Sequence, residues 1–176
     1  MRLIERERFT LEPQMESHAE EMFAVLSDPA IYTYENEPPP SVEWLRVRFA
    51  KLESRQSPDG QQQWLNWVIR LPTKALIGFV QATVQPNGGA LIAYVLMSAY
   101  WDRGLASQAV QAMICELVER YQIHKFLAVF KRENHRSMRL LERLGFSHAS
   151  SEENAELHPE RGELCMQLEI RLPLKH

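Results

Sequence analysis

The segment Tyr100-Trp101-Asp102-Arg103-Gly104-Leu105-Ala106-Ser107 constrains this chain more than any other. It follows an apolar, strand-like run over residues 91–97 and opens a long amphipathic helix. A small glycine-bearing turn that feeds a helix presents N–H groups with no partners inside that helix. The helix dipole adds partial positive charge at the same end. Together they suit a phosphate or diphosphate, and so point to a nucleotide-bearing ligand. Gly104 is central to this reading, because a residue without a side chain lets a ligand approach the backbone closely.

The bulk properties bound the alternatives. A chain of 176 residues fits one domain, residues 1–176. A domain of this size buries roughly 70% of its unfolded surface and needs no staple. The formal net charge of −3 argues against direct nucleic-acid binding, which relies on clustered Lys and Arg. Cys115 and Cys165 have no metal-ligand spacing and read as two buried, reduced thiols. Residues 1–10 alternate charge with apolar side chains and do not form a secretory signal. The longest apolar-rich run, residues 90–101, is too short to span a bilayer, so a cytoplasmic location without a membrane partner follows by default. Monomer and homodimer both remain open.

The periodicities predict a strand over residues 2–11 and a helix over 16–26, on which Ala19, Met22, Phe23 and Leu26 recur at helical spacing. A short helical turn at residues 31–34 leads into the rigid Glu35-Asn36-Glu37-Pro38-Pro39-Pro40 break. Ser41 caps the next helix, whose stripe is Val42, Leu45, Phe49 and Leu52. Three strands follow, at residues 63–71, 75–84 and 90–97. The Asn87-Gly88-Gly89 connection marks the last two as a hairpin. A helix over 104–121 precedes a continuously apolar strand at 126–130, which reads as central and covered on both faces. A helix over 134–144 ends at Gly145. A strand from residue 146, a polar loop over 152–161 and an alternating strand over 163–172 complete the chain. The order of elements is that of an α+β domain with a mixed sheet covered by helices.

Two segments now carry a resemblance. Ala93-Tyr94-Val95-Leu96 through Ser107 is similar to the acetyl-CoA signature of the GNAT acetyltransferase superfamily, with Trp101, Gly104 and Ala106 at its three marked positions. Asn134-His135-Arg136-Ser137, followed by Leu144-Gly145-Phe146, resembles the second motif of the branch that contains ribosomal-protein N-terminal acetyltransferases. The motifs occur in the right order with a strand between them, and the resemblance spans nearly the whole chain. It implies a single GNAT-like domain with a mixed, mostly antiparallel central sheet, splayed at the cofactor site by a bulge in residues 93–97. It further implies acetyl-CoA as co-substrate and transfer of its acetyl group to a primary amine, either a protein N-terminal α-amine or a small molecule, in one ternary complex.

The resemblance also assigns residues. Pantetheine pairs along Val95, Leu96 and Met97, and amides of Arg103, Gly104, Leu105, Ala106 and Ser107 hold the diphosphate. A backbone N–H near Leu96 stabilises the developing oxyanion. The Arg103 side chain is equally compatible with a solvated charge and with a phosphate contact. Trp101 reads as a packing residue. Asn134 suits a helix N-cap, and the resemblance adds a contact to the cofactor arm. Ser137 is implied to lie near the cofactor sulfur, though a surface serine without a role fits the sequence as well.

Two departures from the family pattern stand out. Leu141 occupies the position where many members have a tyrosine proposed to protonate the thiolate. Either Ser137 serves instead or no acid is needed, since a thiol of pKa about 8.5 is a tolerable leaving group. Leu91 occupies the position of a common glutamate base. Glu35 and Glu37, in the loop implied to border the acceptor site, are the candidate substitutes, with Tyr32 and Tyr34 nearby. His148, just past Gly145-Phe146, is another candidate, although a lone His on a strand is more often structural. His124, His135, His158 and His176 show no ligand spacing, so no metal is expected. The missing glutamate favours an easily deprotonated α-amine, with pKa about 8 against about 10.4 for a lysine, or a small-molecule amine. A non-catalytic acyl-CoA-binding module is the rival reading.

Overall fold

In the computed structural model, which describes residues 1–34 and 37–171, the organising element is one eight-stranded sheet. Its strands are β1 (Ile4–Glu5), β2 (Thr10–Pro13), β3 (Gln63–Arg70), β4 (Leu76–Val84), β5 (Gly89–Leu96), β6 (Lys125–Lys131), β7 (Ser147–His148) and β8 (Glu163–Glu169). The order across the sheet is β1-β2-β3-β4-β5-β6-β8-β7. All pairs are antiparallel except β5–β6. Among the described residues five α-helices complete the fold: α1 (Ala19–Leu26), α2 (Val42–Glu53), α3 (Leu105–Tyr121), α4 (His135–Arg143) and α5 (Ser151–Leu157). None of the described helices is long and apolar enough to cross a membrane.

Side chains alternate across the pleat, so each strand feeds two faces. One face carries Leu65, Trp67, Val80, Ala82, Ile92 and Leu96, which pack with the buried stripe of α3 and with Leu140 and Leu141 of α4. The other carries Val68 beneath Met22, Leu45 and Phe49 of α1 and α2, with Phe79, Val95 and Met97 packed against this second cluster. β4 and β5 therefore lie between two cores, and their ends face both.

Much of the local chemistry is as the sequence reads. Ser41 Oγ accepts the Trp44 N–H at 3.1 Å and caps α2. Asn134 Oδ1 accepts the Ser137 N–H at 3.1 Å and caps α4, and Gly145 ends α4 at φ +90°. The hairpin turn uses Gly88 at φ +82°, and Asn87 Oδ1 accepts the Gly89 N–H.

Five expectations are corrected. Residues 2–11 do not form one strand: the chain folds back at Arg6, whose N–H donates to the Phe9 carbonyl, and β1 pairs with β2. Residues before α1 form a 3-10 turn, Glu16–His18. The polar stretch after β7 contains helix α5 instead of a continuous loop. Its residues are polar almost all round, so no periodic stripe announces it. Cys115 is exposed, because it lies on the Gln108, Gln111 and Glu119 face of α3, whereas Cys165 is buried as expected. The last strand ends at Glu169, and Leu172 lies outside the described residues. The sequence also gave no warning of a buried carboxylate, Glu116 on α3. Arg2 donates to both of its oxygens from Nε at 3.1 and 2.9 Å, which ties the first residues to α3.

Candidate active site

The sheet opens between β5 and β6. Their parallel pairing runs only from Gly89↔Lys125 to Leu91↔Leu127, although β5 continues to Leu96 and β6 to Lys131. Beyond that point β6 stays with β8, and β5 stays with β4. The β4–β5 register is unbroken from Gly78↔Leu96 to Val84↔Ala90, so the bulge expected in residues 93–97 is not there. The splay comes from divergence of two strands and not from an inserted residue.

Two residues hold β5 at the open end. The Trp101 indole N–H donates to the Leu96 carbonyl at 2.6 Å, filling the place of the next sheet bond. Gly78 lies opposite Leu96, and a side chain on it would run into the Val95 carbonyl. Glycine inside a strand is a recognised sign of close backbone approach, and that signal was readable in the sequence.

Backbone polarity in the gap follows from the pairing. Met97 N–H donates to Ile77 at 2.8 Å, and Gly89 accepts from Gln85 at 2.8 Å. Odd-numbered residues of β5 therefore bond to β4, and antiparallel alternation turns the N–H and C=O of even-numbered residues, Leu96 among them, toward the gap. This corrects the placement of two expected cofactor residues: the N–H groups of Val95 and Met97 face β4. Val95 reaches the site through its side chain.

The cleft at the gap is lined by Tyr34, Tyr94, Val95, Leu96, Trp101, Ala106, Asn134, Arg136, Ser137 and Leu140, with Ala30 and Ile31 at its other wall. Ser137 and Asn134 thus meet Leu96, as the sequence reading requires. The Tyr94 hydroxyl donates to the Ser137 carbonyl at 3.4 Å. Arg136 lies 3.8 Å from the Trp101 ring centroid and 3.8 Å from Asp102. Leu141 is turned away into the core at 1% exposure and does not line the cleft.

The residues expected to meet the diphosphate lie in the turn before α3. Asp102 and Gly104 both have positive φ, +58° and +74°. In contrast to α2 and α4, no side chain caps α3. A Cβ on Gly104 would meet only Gln108 Nε2, at 3.9 Å, so the approach to the N–H groups of Leu105, Ala106 and Ser107 is open. The Arg103 side chain leans over the Tyr100 ring at 5.5 Å, and its carbonyl accepts from Arg8 at 3.1 Å. Arg8, far away in sequence, had no signal to mark it. An uncapped, dipole-positive helix end beside a splayed strand fits the diphosphate and amide arm of coenzyme A.

On the opposite face of β4 and β5 lies a larger cavity of about 790 Å³. It is lined by Glu37, Pro38, Pro39 and Pro40, by Trp44, Leu45, Arg48, Phe49 and Leu52 of α2, and by Phe79, Gln81 and Val95 of the sheet. Glu37 therefore borders a cavity, whereas Glu35 lies outside the described residues. Tyr32 also lines it, and its hydroxyl donates to the Leu26 carbonyl at 2.5 Å. Ile31 and Val95 line both this cavity and the cofactor cleft, so the two meet there. Asp28 fixes that junction. One carboxylate oxygen accepts the Ala30 N–H at 3.0 Å and the other the Ser98 N–H at 2.7 Å. The Ser98 side chain first, and then the Ser98 and Ala30 N–H groups, hold the Asp28 carboxyl below its usual range.

The strand splay, the uncapped helix start and the two meeting cavities define an acyl-CoA-dependent transferase. The chain belongs to the GNAT acetyltransferase family, whose "Acetyltransferase (GNAT) domain" matches residues 8–147. It is accordingly an acetyl-CoA-dependent N-acetyltransferase, with acetyl-CoA as co-substrate. An N-acetyltransferase of Bacillus subtilis (strain 168), YoaA, is 25% identical over 150 residues, which cover 82% of each chain. RimL, the ribosomal L7/L12 α-N-protein acetyltransferase in complex with coenzyme A, has a similar structure, with a TM-score of 0.80 at 19% identity over 96% of this chain and 98% of that one. The ribosomal-protein-S5-alanine acetyltransferase from Vibrio fischeri gives 0.80 at 17% identity over 100% of both chains.

Proposed function

We propose that this enzyme passes the acetyl group directly to a primary α-amine in a ternary complex. The observation that carries this reading is the junction at Ile31 and Val95, where two separate cavities meet across the edge of the sheet. One can hold the thioester while the other holds the amine, and holding both in reach removes much of the entropic cost of a bimolecular step. The Leu96 N–H, pointed into the gap, is the donor for the charge that develops on the carbonyl oxygen. Ala106, Ser107 and their neighbours anchor the diphosphate, with Asn134 beside the arm and Ser137 near the sulfur.

No strand carboxylate is available at Leu91, so the amine proton leaves through water toward Glu37 at the rim of the acceptor cavity. An α-amine needs little help, because its pKa of about 8 leaves a fair neutral fraction near pH 7. The leaving thiolate departs without help from position 141, since Leu141 is buried. RimL is an α-N-protein acetyltransferase and the Vibrio fischeri enzyme a ribosomal-protein-S5-alanine acetyltransferase, and their likeness in fold makes a peptide N-terminus the favoured acceptor.

Initial-velocity kinetics test this reading, with acetyl-CoA and a peptide amine varied together and calorimetric titration of acetyl-CoA alongside. Intersecting double-reciprocal lines and binding of acetyl-CoA without peptide are expected. Parallel lines, with release of coenzyme A before the amine binds, would overturn direct transfer.

A further inference from the structure

The acceptor cavity does not end at Trp44 and the proline loop. A second hollow of about 310 Å³ continues it, and the two share Arg48, Leu52 and Gln81. Lys51, Trp64, Asn66 and Thr83 complete this far end. The trench therefore runs from the junction at Val95, along α2, to a terminus with a distinct chemistry.

That terminus is cationic and donor-rich. Arg48 and Lys51 are exposed, and neither has a carboxylate partner among the described residues. Each is parked over an indole instead, Arg48 at 5.6 Å from the Trp44 centroid and Lys51 at 5.9 Å from that of Trp64. Asn66 provides an independent sign. Its residue is 5% exposed, and its amide nitrogen is buried with no hydrogen-bond partner. A buried donor left unpaired costs free energy, and an acceptor oxygen placed there would recover it. The opposite charge, Glu37, sits in the loop that precedes α2 and lines the first cavity but not the far hollow. The trench is thus polarised, with a carboxylate toward the amine end and cations away from it.

The sheet register measures the separation. Val68, Phe79 and Val95 share one rung, and Asn66, Gln81 and Ala93 share another two residues away on the same face. From Val95 to Asn66 is two residues along the strands and two strands across, roughly 12 Å. A free α-amino acid cannot bridge that gap, because its amine and carboxylate are attached to the same carbon. An extended peptide advances about 3.4 Å per residue, so the side chain of its third or fourth residue reaches the far end.

We infer that the acceptor is a peptide N-terminus with an acidic residue at its third or fourth position, read by Arg48, Lys51 and Asn66. This rests on the direct-transfer reading above and adds the class of acceptor. Charge-assisted hydrogen bonds to such a carboxylate supply selectivity between acceptors that differ in no other respect.

The test uses the full-length enzyme, acetyl-CoA and a panel of C-terminally amidated tetrapeptides. Ala-Ala-Glu-Ala and Ala-Ala-Ala-Glu are compared with their lysine and all-alanine counterparts, and with free glutamate and simple alkylamines. The acidic peptides should exceed the lysine peptides in kcat/KM by about tenfold, mainly through KM, and the advantage should shrink as salt is raised. The double variant Arg48→Ala/Lys51→Ala should bring that ratio to within about twofold. The double reversal Arg48→Glu/Lys51→Glu should invert it. Acetyl-CoA affinity and circular dichroism report that each variant is folded. Equal use of acidic and basic peptides, or an acidic preference that survives the double variant, overturns the inference. Free glutamate used as well as the peptides overturns the length argument. Turnover of alkylamines alone overturns the peptide acceptor but leaves direct transfer standing. Acetyl-CoA binding with no turnover of any amine removes both.

Discussion

The two cavities are built by different means. The cofactor cleft is a backbone construction: a strand that leaves its neighbour, a helix that starts without a cap, and turn residues at positive φ. The acceptor trench is a side-chain construction, lined by Trp44, Arg48, Lys51 and Gln81 and by prolines of a loop. Backbone sites bind what every member of a family shares, because they depend on few residue identities. Side-chain sites are easily rewritten, since an exposed Arg or Trp can change without cost to the core. On the proposed reading, one half of this molecule fixes the class of reaction and the other fixes which amine takes part.

If the cofactor half depends on backbone geometry, the smallest possible side chains should damage it most. Gly78→Ala is the sharpest case. The added methyl would run into the Val95 carbonyl and come within 3.0 Å of Leu96 Cα, both of them backbone atoms that cannot rotate aside. Destabilisation of about 3 kcal/mol is expected from urea unfolding, at the upper end of overpacking costs. The surviving folded fraction should bind acetyl-CoA poorly. A wild-type midpoint would show that β5 can shift without harm, and would detach the splay from Gly78.

Gly104→Glu comes next. The position is open, so the fold should persist with a penalty of about 1 kcal/mol for a side chain at positive φ. Binding should suffer more, because a carboxylate would stand before the N–H groups that face the diphosphate. A loss of about a hundredfold in acetyl-CoA affinity, or about 2.7 kcal/mol, is expected by calorimetry. Unchanged affinity would mean that the diphosphate lies elsewhere.

Legibility in the sequence follows the same division. The turn at Gly104, the caps at Ser41 and Asn134 and the hairpin at Gly88 are local, and each declares itself within a few residues. The cause of the splay was misread: Trp101 on Leu96 acts through a contact made only in the folded sheet, whereas Gly78 announced a close backbone approach without naming Val95 as the partner. Arg8 on the Arg103 carbonyl joins residues 95 apart and left no local trace. The acceptor trench was legible only as a proline-rich loop with two glutamates. Its cationic end is assembled from α2, β3 and β4, whose mutual placement no spacing rule supplies.

Leu141→Tyr probes a residue whose family role was legible and whose orientation was not. A sequence argument recommends the change, since it restores a phenol common in relatives. The fold argues against it, because Leu141 is packed at 1% exposure within the α3–α4 core. The larger ring should cost about 2 kcal/mol in stability and bring no gain in kcat. A rise in kcat at high pH would show that the ring reaches the cleft after all.

Asp28→Asn tests the tie between the halves. The carboxylate serves two N–H donors, one on the turn that leads to the acceptor loop and one at Ser98, just past β5. An asparagine has one acceptor oxygen, so one donor loses its partner, at a cost of about 1 kcal/mol. The pH dependence distinguishes this from a general packing loss. The folded-state pKa of Asp28 lies below its ordinary value of 3.8. The stabilisation is therefore complete above that value and disappears as pH falls through the lower, folded one. Unfolding midpoints of the wild type and variant should differ at pH 6 and converge only as the pH falls through the lowered folded-state pKa of Asp28. KM for the amine should rise more than KM for acetyl-CoA, because the freed turn borders the acceptor side. An equal rise in both would mean that the junction at Ile31 and Val95 moves as one piece and that the two cavities are less independent than their construction suggests.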